Sequence, residues 1–200
     1  MSKAIDTFKA NIARVRDLGS LYAAVQRLTT SSLDVSDLLR AQLVFVVSAL
    51  DTYVHEVVLE KMIDIYTGAR KASSRFGQFS VSLGSLPSNS IGNNGSSWLE
   101  VEIKQKHKWS SFQHPDKISD AIHLVSDLSL WVEVGRKMGM ATADVKTELG
   151  LIVDRRNKIS HEADINPTVP GERWSIDAQS VEQAVRFVEC VVESIDDILN

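Results

Sequence analysis

The segment Asp154-Arg155-Arg156-Asn157-Lys158-Ile159-Ser160-His161-Glu162-Ala163-Asp164 sets an arginine, an adjacent amide and a histidine within six residues. Arginine grips phosphate bidentately, and histidine takes or gives a proton near neutral pH. Cleavage of a phosphodiester through a ribose 2′-OH needs a base, an acid and positive charge on the phosphate, and no metal. His161 can be base or acid, since imidazole ordinarily titrates near ~6.5. Arg156 can hold the non-bridging oxygens. Asn157 can fix the imidazole or bind substrate.

Helix geometry tests this grouping. Asn157 and His161, four apart, share a face, as do Asp154 and His161 at seven. Arg156 and His161 are five apart, about 140° around an ideal helix, so Arg156 must reach in from the flank. Arg155 is no better placed, and either arginine could be the working one. The plainer reading is a solvated face on which Asp154, Arg155, Lys158 and Glu162 make weak surface pairs.

The elements that must position these residues are helical. Ile5, Phe8, Ile12, Val15, Leu18, Tyr22, Val25 and Leu28 recur at spacings of three and four, an amphipathic N-terminal helix within residues 1–30. Asp34 or Ser36 caps a second helix to Tyr66, apolar nearly all round from Leu43 to Leu50, as suits a bundle centre or a subunit interface. Residues 68–97 hold five of the ten glycines and read as a loop insertion, with a short strand or turn around Phe79 to Leu83. A loop that long is usually functional or mobile.

Trp98, Val101, Gln105 and Trp109 then mark one helix face. Pro115 opens a helix through Ile118, Ile122 and Val125. Leu128 to Met138 continues as helix until Gly139. Ala141 or Thr142 starts the motif helix, with Val145, Leu149, Ile152, Val153 and Ile159 as its apolar positions and Pro167 as its limit. Asp177 or Ser180 caps a last helix from Val181 to Ile198. Repeats and convincing strands are absent. The reading is one all-α domain over residues 1–200, an antiparallel bundle.

Other residues weigh less. Asp51 and His55, four apart on the second helix, can face the motif, with Asp51 as a supporting group. His55-Glu56 and His161-Glu162 begin like zinc-binding HExxH motifs, but each lacks the second histidine, so neither a metal nor a cofactor is expected. Lys104, Lys106, His107, Lys108, Trp109, His114 and Lys117 form a basic window interleaved with aromatics, able to guide RNA by charge and stacking but more often a solvated face. His123 reads as a core or boundary histidine, Trp131 and Trp174 as packing residues. Cys190, the only cysteine, rules out an intrachain disulfide and reads as a small core residue.

The totals bound the class. Hydrophobic content of 44% and charged content of 24% are those of an ordinary globular domain. A formal net charge of −4 argues against a surface coated in lysine and arginine, though not against a local basic pocket. Residues 1–20 contain no apolar signal core, and the Leu43–Leu50 run is far too short to span a bilayer. A cytoplasmic protein with no membrane partner is expected.

Arg156-Asn157-Lys158-Ile159-Ser160-His161 fits the Arg-polar-x3-His form of the Rx4-6H motif and resembles that of HEPN domains, all-α bundles, most closely the RiboL-PSP-HEPN group. Val47-Ser48-Ala49-Leu50-Asp51-Thr52-Tyr53-Val54-His55-Glu56 and Ser111-Phe112-Gln113-His114-Pro115-Asp116-Lys117-Ile118 are similar to that group too. The resemblance runs from about Leu39 to Ile198. It implies a metal-independent endoribonuclease, often a toxin or defence effector, with Arg156 and His161 catalytic and Asn157, Asp51 and Arg155 supporting. The implied products are a 2′,3′-cyclic phosphate and a 5′-OH. It also implies a homodimer, in which a two-fold axis would supply a second histidine and arginine. The alternative is a non-catalytic HEPN module that binds RNA or a nucleotide, or docks a partner such as a nucleotidyltransferase antitoxin.

Overall fold

The computed structural model describes residues 2–30, 33–85, 95–169 and 171–200. Seven α-helices run through them: α1 (Lys3–Leu28), α2 (Asp37–Tyr66), α3 (Ser97–His107), α4 (Pro115–Ile122), α5 (Leu130–Met138), α6 (Thr142–Glu162) and α7 (Ala178–Leu199). The only strand-like pairing among the described residues is an isolated bridge between Ile165 and Arg173. The all-α bundle expected from periodicity is what forms.

α2 is the hub, packed against α1, α3, α4, α6 and α7. Its apolar circumference explains this: Val46, Val47, Leu50, Tyr53, Val54, Val57 and Val58 are all fully buried, on more than one face. It is long and apolar enough to cross a membrane by length and composition, but here its apolar residues fill the bundle core. The Tyr53 hydroxyl donates to Asp196 of α7, 3.3 Å away. Burial and that carboxylate push the phenol well above its ordinary pKa.

α1 is capped by the Ser2 hydroxyl, which accepts from the Ile5 N–H. Its apolar stripe is buried only as far as Val15, and Leu28 is 86% exposed. The second half of α1 outruns the core, so periodicity there does not end in burial. Gly19 marks the close approach to α2: a Cβ would meet the Gln42 amide at 2.6 Å, and that buried amide donates to the Val15 carbonyl.

Periodicity misplaces the buried face of α3. Leu99, Glu102, Ile103 and His107 are buried, while Val101 is 54% and Trp109 87% exposed. The reason is polar: the packed row carries two titratable residues, which an apolar pattern cannot register. His107 lies among Phe79, Phe112 and His55, and burial, aided by His55, lowers its pKa to about 4.

Residues 68–85 form two single-turn 3₁₀ helices, at Phe76–Gln78 and Leu83–Ser85, in place of the expected strand or turn. Arg70 donates to the carbonyls of Val125 and Leu199, and the Ser73 hydroxyl to that of Leu124. This part of the segment is therefore stitched to the α4–α5 connection. The Gly92 turn lies outside the described residues.

α4 starts at Pro115 as expected but ends at Ile122, leaving Val125 buried in a turn. α5 closes on Gly139, whose φ of 66° is the left-handed conformation that glycine adopts without strain. α7 follows its sequence pattern, with Asp177 as N-cap. Cys190 corrects one expectation: it is exposed, on the outer face of α7 between the buried Val188 and Val191.

Candidate ribonuclease cleft

α6 presents Val145, Leu149, Ile152 and Val153 to the core, which turns Asp154, Asn157 and His161 outward. The prolines do not end this helix. It stops at Glu162, five residues before Pro167, because Ala163 and Asp164 both adopt positive φ, 50° and 59°. Such backbone is costly for residues other than glycine and needs compensation. Asp164 supplies it. Its N–H donates to the Lys158 carbonyl, and its buried carboxylate accepts from Arg40 Nε at 2.7 Å and Arg155 Nη2 at 2.8 Å. Arg40 also donates to the Trp174 carbonyl. The start of α2, the end of α6 and the segment at Trp174 thus meet at one carboxylate.

Arg155 is therefore accounted for. Its guanidinium belongs to this clamp, donating also to the Ser175 carbonyl, and it does not line the cleft described next. Arg156 does.

An open cleft of about 840 Å³ lies between α6 and the α3–α4 connection. Asp154, Arg156, Asn157 and His161 line it from α6, residues 109–114 from the connecting loop, and Lys117 and Asp120 from α4. Arg156 reaches in from the flank, as the 140° offset requires. Its Nη1 donates to Asn157 Oδ1 at 3.0 Å, while its Nε is buried without a partner.

The opposite wall is fixed from behind by α2. Asp51 accepts from the Phe112 N–H at 2.6 Å and from Gln113 Nε2 at 3.3 Å. His55 Nε2 lies 3.2 Å from the Ser110 carbonyl, and its ring packs on Phe112 with centroids 4.5 Å apart. Asp51 and His55 do not touch the cleft; they hold the loop that forms it.

The basic window divides. Lys104 pairs with Glu100, Lys106 donates to the Ser80 hydroxyl, and His107 is buried. Trp109, His114 and Lys117 face the cleft. Trp109 is an exposed indole with Lys108 Nζ 5.2 Å above its ring. His114 caps α4 and is half exposed. Residue-by-residue reading of the motif missed His114 and Lys117 as site members, although the Ser111–Ile118 segment that carries them was legible as a family feature.

The described residues of the 68–97 segment contribute nothing to the cleft lining. Chemically, the site offers two imidazoles, a guanidinium, an ammonium, two amides and an exposed indole around one groove. The carboxylates Asp120 and Asp154 offset its positive charge.

The family model for RiboL-PSP-HEPN matches residues 9–200, which spans the bundle and every residue of the cleft. No curated protein and no solved structure shows significant similarity to the chain. With the Rx4-6H residues placed late in a helical bundle and a family match across almost its whole length, the chain belongs to the RiboL-PSP-HEPN family.

Proposed function

We propose that the protein is a metal-independent endoribonuclease that cleaves RNA through the ribose 2′-OH and leaves 2′,3′-cyclic phosphate and 5′-OH ends. Membership of its family points to a ribonuclease or an RNA-binding module. The observation that carries the catalytic reading is the cleft, where His161, Arg156 and Asn157 of the motif line one open groove with an exposed tryptophan and a lysine. Arg156 and Lys117 neutralise the phosphate, His161 transfers a proton, and Trp109 stacks on an unpaired base. The groove is open and carries few cations, which suits a single strand held by stacking rather than a duplex held by charge.

In the cell this activity fits a toxin or phage-defence effector held in check by a partner protein, acting in the cytoplasm. The assembly we propose is a homodimer. Leu151 on α6 and Val132 on α5, 59% and 53% exposed, are apolar side chains that a second copy would cover. A solution mass of twice 22.1 kDa is expected.

The chemistry is tested with an RNA carrying a single 2′-deoxy nucleotide at the mapped cleavage position. Loss of cleavage at that bond alone, with cyclic phosphate on the other products, is expected. Continued cleavage at the deoxy position would show that the 2′-OH is not the nucleophile. Binding without turnover on any RNA would favour the docking or RNA-binding module.

A further inference from the structure

Between Val153 and Asp164 no residue of the chain is buried. Arg156, Asn157 and His161 all lie on this stretch, so the motif sits on a length of α6 that the core does not grip. Ile159 packs against the core only in part. Val153 anchors the near end through apolar contacts, and Asp164, with none of its surface exposed, is the next buried residue. Resting on the ribonuclease reading, we propose that Asp164, through Arg155 and Arg40, is a positioning residue that fixes the turn carrying His161 for its chemistry.

Asp164 holds through three groups. Its N–H donates to the Lys158 carbonyl at 3.0 Å, which closes the last turn of α6 directly behind the motif residues. Its own carbonyl accepts from the Trp174 N–H at 2.9 Å, which ties that turn to the segment leading into α7. Its carboxylate Oδ2 accepts from both Arg40 Nε and Arg155 Nη2. Arg40 belongs to the hub helix α2, where its Nη1 also donates to the Ser36 hydroxyl at 2.6 Å. Arg155 belongs to α6, six residues before the histidine. One carboxylate therefore locks the end of α6 to the hub and to its own preceding turns.

A helix can be ended more cheaply than this. Glycine would take the left-handed backbone of Ala163 and Asp164 without strain, and an apolar residue would fill the buried place without desolvating charge. Buried ion pairs add little net stability over apolar packing, but their charge-assisted hydrogen bonds are directional and tolerate little displacement. Fixed geometry is what this clamp supplies. It is supplied three residues from His161, a group whose proton transfer depends on placement.

The experiment compares wild type with Arg155→Ala, Arg155→Lys and Asp164→Asn. It reads kcat and KM on RNA, the melting temperature, and amide hydrogen exchange across residues 154–163. The Arg155 side chain is 23% exposed, so its replacement leaves Arg40 paired with Asp164 and the bundle folded. Asparagine at 164 keeps the size and accepts the left-handed backbone, but it removes the charge that holds two guanidiniums.

Arg155→Ala and Asp164→Asn are each expected to lower kcat by up to about 10²-fold with KM changed by less than about twofold, as for a reacting group displaced by roughly an ångström. Exchange across residues 154–163 should quicken while the rest of the bundle stays protected. Arg155→Lys, which returns a cation to the carboxylate, should recover part of kcat. Wild-type kcat in folded Arg155→Ala and Asp164→Asn, whatever their melting temperatures, would overturn the positioning role and leave the ribonuclease reading standing. A raised KM with kcat intact would make Arg155 a substrate ligand and overturn it as well. If wild type cuts no RNA, the ribonuclease reading fails, and exchange alone decides the clamp: unchanged protection in the variants would overturn it too.

Discussion

At the residue scale, the site depends on which side chains are free to meet substrate. Arg155 and Arg156 are neighbours with opposite fates. Arg155 is held by Asp164 and two carbonyls, whereas Arg156 lines the cleft and its Nη1 donates to Asn157. Sequence could not separate them, because the separation comes from Arg40 and Asp164, residues 124 positions apart that meet only in the fold. Trp109 is an exposed indole on the cleft wall. An indole left 87% exposed forfeits the burial that large aromatics normally gain, unless a ligand covers it. Trp109→Ala is expected to weaken single-stranded RNA binding by about 1–3 kcal/mol and leave thermal stability unchanged. Fluorescence anisotropy with labelled oligonucleotides measures it, and unaltered affinity would remove the stacking role.

At the element scale, the cleft has one wall that is a helix and one that is a loop, and α2 positions the loop. The helical wall was legible from the sequence: spacing placed Asp154, Asn157 and His161 on one face and required Arg156 to enter from the flank. The loop wall was not, because Asp51 reaches Phe112 and Gln113 across more than sixty residues of chain and no periodicity reports such a bond. The same limit misdirected the reading of α3, where Glu102 and His107 occupy buried positions that an apolar count assigns to Val101 and Trp109. Asp51→Ala frees the Phe112 N–H and lets the loop shift. The expected result is a kcat lower by about 10²-fold with a smaller change in KM, as for misplacement on the order of an ångström. A wild-type kcat in a folded Asp51→Ala protein would show that the loop needs no such tether.

At the scale of the molecule, the bundle gathers two kinds of buried polarity around an apolar centre. The Asp164 clamp joins α2 to the end of α6, and the His107 cluster joins α3 to the loop behind the cleft. His107 is held neutral, its pKa lowered to about 4 against 6.5 for a free histidine. The unfolded chain therefore binds this proton more readily than the folded one. Its contribution to stability is fully present above pH 6.5 and is lost as pH falls towards about 4. Thermal melts of wild type and His107→Phe across that window should converge or cross at the acid end, with the variant less sensitive to acid. Parallel curves would place the sensitivity elsewhere. The net charge of −4 and the carboxylates Asp120 and Asp154 at the cleft argue against a broad basic surface.

We propose that this cleft cuts RNA with its own side chains. The most direct measurement is incubation of purified protein with end-labelled unstructured and structured RNA in excess EDTA, beside His161→Ala and Arg156→Ala. Cleavage by wild type alone, undiminished by the chelator and leaving cyclic-phosphate ends, is expected. Equal cleavage by wild type and both variants, or none by any of them, would contradict it.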